Sequence, residues 1–165
     1  MIDASFDLDD CCWTIGQIAK AIGSNTNTLN TWMHRELIKS YHDKKPNGFP
    51  TMFSTRAMIE FAIIQKLNKA GVSADIASEA ASKFCHHAND YNPFDERTPG
   101  LSYKNDSTWL TLFVEAKKSF VVSGVSLPDA IHTQASHGEC VRVINLDDLL
   151  ERLWYHIKAK SLEIA

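Results

Sequence analysis

Three groups of residues in this chain have side chains whose chemistry depends on what stands beside them. Cys85-His86-His87, and His137 with Cys140, offer thiolate and imidazole donors of the kind that zinc takes in fours. Adjacent ligands diverge on a helix, and the chain has no Cys-x-x-Cys, so no metal and no cofactor is expected. Asp129, His132 and Ser136 are the acid, base and hydroxyl of a nucleophilic triad. They fall within one helix-sized stretch and need not converge. Gly-x-Gly-x-x-Gly and phosphate-loop patterns are missing from the sequence, and nothing in these spacings argues for catalysis. The third group is polar and uncharged: Asn25, Thr26, Asn27, Asn30 and Thr31, with His34 and Arg35 behind them. Asn and Thr are mediocre helix formers, and a purely structural helix surface would favour Glu, Lys or Ala. Their amides and hydroxyls suit base edges; an asparagine matches adenine in particular. Lys39, Lys44, Lys45 and Arg56, with Asn47 and Thr51 among them, would supply sequence-blind contacts to phosphates.

The wider composition sets limits on that reading. The chain has 165 residues, 44% hydrophobic and 22% charged, which is ordinary globular usage and excludes a long disordered chain. It has no run of about 18 apolar residues, so no membrane span is expected. The start, MIDASFDLDD, is acidic and lacks the positive charge of a secretory signal. Four cysteines, two of them adjacent (Cys11 and Cys12), do not form a disulfide framework, and a reduced, cytoplasmic protein is expected. The net charge of -3 is unevenly spread: residues 1–12 carry -4, residues 13–83 carry nine bases and five acids for +4, and residues 84–165 carry -3. Any basic surface is therefore local, and it coincides with the polar group.

The elements that must position these side chains are legible. Thr14 and Gln17 have capping-box spacing, Ile15, Ile18, Ala19 and Ile22 keep helical period, and Gly23 ends that helix. Asn25 caps a second helix with Leu29, Trp32 and Met33 on its apolar side. Two short helices joined by a glycine turn over 14–34 make a helix-turn-helix, and a hairpin at 46–53, signalled by Asn47-Gly48, sits where a wing would be. Trp13, Trp32, Phe49 and Phe53 are expected in the core. Ser54 caps a third helix through Lys69, and Ser73 a fourth over 74–88. Residues 88–107 are polar, hold Pro93, Pro99 and Gly100, and read as a linker. Beyond it the order β-β-α-β-α suggests a small α+β unit. The expected division is an acidic segment 1–12, a helical domain 13–87, a linker 88–107 and a unit 108–165. The fold class is α+β. A unit of that size is near the lower limit for independent stability, so 108–165 is expected to dimerise or to bind an effector or protein partner.

The order of these features resembles the winged helix-turn-helix of the mercury-resistance regulator (MerR) family. The matching features are Ile15-Gly16 followed by Ile18-Ala19, Gly23, Thr28-Leu29, Trp32, Leu37-Ile38, wing residues Phe49 and Phe53, Ser54 opening the next helix, and Leu67 and Gly71 ahead of Ile76. The resemblance covers about residues 13–84. It implies a dimeric, nucleoid-associated transcriptional regulator that binds double-stranded DNA, with helix 25–34 in the major groove and the wing on the backbone. Alternative roles for the same fold are a phage-type DNA-packaging or excision factor, or a protein-interaction adaptor that does not bind DNA. The chain departs from the family at Asn27 and Asn30, and at Pro50, where arginines are usual, and in having an α+β unit in place of the long dimerisation helix.

Overall fold

A computed structural model describes residues 7–40, 42–43, 46, 48–88, 97–135 and 141–164. Among these, six helices accompany two three-stranded antiparallel sheets, so the chain is mixed α and β. Strand β1 (Cys11–Thr14) runs straight into helix α1 (Ile15–Ile22). The capping box forms as the spacing predicts: the Gln17 amide donates to Thr14 Oγ1, and Gln17 Oε1 accepts from the Thr14 amide at 2.9 Å. Gly23 ends α1 in the left-handed region, at φ 65°. Asn25 then caps α2 (Thr26–His34), its Oδ1 accepting from the Thr28 amide at 2.8 Å, while Leu29 and Trp32 turn into the core. Strands β2 (His42–Asp43) and β3 (Met52–Ser54) pair, and β3 also pairs β1, giving the order β1-β3-β2. Ser54 caps α3 (Thr55–Lys69) through the Ala57 amide. Ser73 starts α4 (Ala74–His86) as expected but makes no side-chain cap bond.

Helix α3 is the axis of the protein. Ten of its fifteen residues are buried, because α1, α4, α6 and the first sheet all pack on it. A helix enclosed on all sides loses the one-sided apolar stripe of a surface helix. The same holds for β4 (Thr108–Phe113), the middle strand of the order β5-β4-β6. Strands β5 (Lys118–Ser123) and β6 (Val141–Asn145) flank it. The register places Leu110 and Leu112 on one face with Val121 and Ile144, and these four join the main core. Phe113 lies on the opposite face, edge-on to Phe120, where α5 (Leu127–Ala135) packs. Helix α6 (Leu146–Ile164) buries Leu150, Leu153 and Ile157.

Two expectations are corrected. Residues 97–107 are not a bare linker. Arg97 is 6% exposed, its guanidinium donates to the carbonyls of Phe84, His87, Thr98 and Leu101, and it lies 4.8 Å over the Phe84 ring. The Gly100 amide donates to Phe84 O at 2.9 Å, and Tyr103 is buried. One cluster of buried side chains consequently runs from Leu8 to Ile157, so the helical segment and the second sheet share a core. Buried backbone needs partners, and here arginine supplies them where regular secondary structure does not. Residues 89–96 lie outside the described residues. Phe49 is the second correction: it is 69% exposed, whereas Trp13, Trp32 and Phe53 are buried as expected.

Gly100 tests the packing of the 97–107 segment. Its φ is +81°, and a Cβ there would come within 2.9 Å of Arg56 Nη1 and 3.0 Å of Leu8 Cδ1. Gly100→Ala should lower stability by about 1–3 kcal/mol, read by urea unfolding, since a non-glycine residue at positive φ is strained even before the clash. A free linker would tolerate the change silently.

Candidate nucleic-acid interface

Helix α2 presents its polar side to solvent: Asn25, Thr26, Asn27, Asn30, Thr31 and His34 are all exposed. The side chains are not equally free. Asn25 Oδ1 is spent on the cap, and the Thr31 hydroxyl donates back to Asn27 O at 2.9 Å. Among the described residues, the amides of Asn27 and Asn30 have no hydrogen-bond partner. Three apart, they are neighbours on one face of the helix.

The expected basic contacts divide. Arg35 ends α2 and pairs with Asp75 of α4 at 2.5 Å, with both side chains about half exposed. Lys39 Nζ lies 3.4 Å from Glu36 O and is exposed. Thr51 is half-buried ahead of β3. Lys44, Lys45 and Asn47 lie outside the described residues. Arg56 departs from the expected phosphate contact because its donors are already committed. Nε and Nη2 form a two-bond fork onto Asp9 at 2.7 and 2.9 Å, and Nη1 donates to Cys85 O and Pro99 O. That fork holds the Asp9 carboxyl below the ordinary value of 3.8 and raises Arg56.

What holds α2 at its angle is a set of residues the sequence reading did not single out. Glu60 of α3 is 1% exposed. Its Oε2 accepts the amides of Lys39 and Ser40, each at 3.0 Å, and its Oε1 lies 2.7 Å from His86 Nε2. Ser78 of α4 donates its hydroxyl to Leu37 O. The segment leaving α2 is thereby fastened to α3 and α4 together. The one available signal was a carboxylate inside an otherwise apolar run, Met58–Leu67. Ser40 Oγ is also 3.5 Å from His86 Nε2, so serine, histidine and glutamate meet. They cannot act as a relay, because the hydroxyl and the carboxylate address the same ring nitrogen.

The metal-type residues face different ways. Cys85 is fully buried, which pushes its thiol well up, and its Sγ lies 4.0 Å from Arg56 O. His86 turns to Glu60 and His87 Nδ1 to Ser82 O. His137 and Cys140 lie outside the described residues. Among the described residues, no three His, Cys, Asp or Glu side chains gather as a metal site would require, and no helix is long and apolar enough to cross a membrane.

No protein-family model matches this chain, and no curated protein matches it.

Glu60→Ala should cost about 1–3 kcal/mol, since it strands buried amides. It should also loosen α2, read as faster amide exchange at Trp32 and Met33 than in α3. The Asp9–Arg56 pair gives a pH signature. A depressed carboxyl stabilises above its unfolded pKa and loses that contribution as pH falls through the folded one. Asp9→Asn should therefore lower Tm at pH 7, and the gap to the unmodified chain should close as pH drops below the ordinary aspartate range.

Proposed function

We propose that this protein is a DNA-binding regulator of winged helix-turn-helix type. In this reading α1 and α2 form the helix-turn-helix, the β2–β3 hairpin is the wing, and α2 lies in the major groove. The observation that carries it is the pair of exposed, unpartnered amides of Asn27 and Asn30 on a helix anchored rigidly from behind. A polar face with idle donors and acceptors on a firmly held helix is what direct base readout requires. Asparagine gives and accepts one bond each at adenine, so the proposed half-site contains A·T pairs. The protein acts by occupancy, without a catalytic step, as a homodimer through residues 108–165.

A second reading has its own observation. Arg35 and Arg56, two of the expected phosphate contacts, are already neutralised by Asp75 and Asp9. That favours an adaptor that keeps the fold and binds protein. A packaging or excision factor of the same fold would differ from a regulator in its target and not in its surface.

Selection of bound sites from a random duplex pool separates these readings. The expected outcome is an enriched A·T-containing half-site and affinity that falls steeply with salt. Asn30→Ala should relax preference at one position, by roughly the 1–3 kcal/mol of a bidentate contact, whereas Lys44→Ala should weaken all sequences alike. No enrichment and no retention on DNA at low salt would leave the adaptor.

A further inference from the structure

A cleft of about 400 Å³ opens where the helical segment meets the second sheet. Four elements contribute to it: the end of α1, the last turns of α3, β6, and the start of α6. Its floor is apolar, made by buried Ala62, Ile144 and Leu153. Its rim is cationic: Lys66 and Lys69 from α3 and Arg152 from α6, with Asp148 as the one acid among the lining residues. Among the described residues, none of the three cations is bonded to a carboxylate. In a chain of net charge -3, this is a local excess against the trend.

Two of those charges have a partial structural account. Lys66 and Lys69 stand in the last turn of α3, where the helix dipole is negative and favours cations. Arg152 does not, for it lies in the body of α6, away from either end. A guanidinium there forks naturally onto a carboxylate. An apolar floor with a few convergent polar groups, in a volume within the roughly 300–1,000 Å³ usual for ligand sites, describes a small-molecule site.

We propose that this cleft binds a small amphipathic organic anion, with its apolar body on the Ala62–Ile144–Leu153 floor and a single carboxylate between Arg152 and Lys66. Asp148, one turn before Arg152, opposes a second negative group and so selects a monoanion. Because the lining comes from both halves of the chain, the ligand bridges them and stabilises the whole. The site is independent of what α2 contacts.

Calorimetric titration of the full chain with octanoate, and with octanol and octylamine as neutral and cationic counterparts, tests this. Octanoate should bind saturably and at least tenfold tighter than either counterpart, and should raise Tm. Arg152→Glu and Lys66→Glu, both exposed positions, should each weaken octanoate at least tenfold with circular dichroism unchanged. Leu149→Trp, which crowds the cleft from α6, should remove binding of all three. Absence of saturable octanoate binding, equal binding of octylamine, or unchanged affinity in a folded Arg152→Glu or Lys66→Glu chain would overturn the assignment.

Discussion

A buried carboxylate is expensive unless its lone pairs are filled, and Glu60 fills them with two backbone amides and an imidazole. The arrangement works in both directions. The charge is tolerated because the Lys39 and Ser40 amides reach it, and those amides are held in place because the carboxylate sits on the most enclosed helix of the protein. Helix α2 makes few contacts of its own with the core, chiefly Leu29 and Trp32, so its direction depends on this junction and on Ser78 beneath it. The first sheet follows from the same point: β2 begins two residues after Ser40, and His42 stacks on Phe53 of β3.

Arginine plays the corresponding part on the far side of α3. Arg56 and Arg97 together gather carbonyls from the end of α4 and from residues 98–101, which have no strand or helix to satisfy them. Guanidinium groups suit this task because their donors are fixed in a plane and stay charged. The exposed Asp9 carboxylate, more than half open to solvent, contributes less by attraction than by orienting the Arg56 fork.

The elements of the chain were legible wherever a local signal decided them. The Thr14–Gln17 box, Gly23, the Asn25 cap and the alternation in β6 each act within a few residues, and each element begins where its signal lies. The polar face of α2 was legible for the same reason: Asn and Thr at helical spacing stand out without any knowledge of what packs behind. The segment 97–107 was not, because its order comes from Arg97 and Arg56 binding carbonyls some distance away in sequence, and a proline- and glycine-bearing stretch reads as open chain until those partners are known. Phe49 and Arg56 fail in opposite senses. An aromatic was placed inside although its loop has nothing to bury it, and a cation was placed outside although Asp9 returns to meet it. Glu60 was readable only as an oddity in an apolar run.

The two sheets differ in how much chain must be gathered to make them. Strands β4 and β5 close over the four residues 114–117, and their pairing can form as an isolated hairpin within microseconds. Strand β1 meets β3 only after the 37 residues from 15 to 51 have been looped back, and by the slow logarithmic growth of closure entropy that costs about 2 kcal/mol more. That loop contains α1, α2 and the hairpin, so β1 cannot zip onto β3 until the helix pair has collapsed against α3. Trp13, whose indole donates to Thr55 at the start of α3, is the latch that closes last. The order of assembly then runs from the second sheet and the α3–α4 pair toward the N-terminus, and the surface formed by α2 comes into being at the final step.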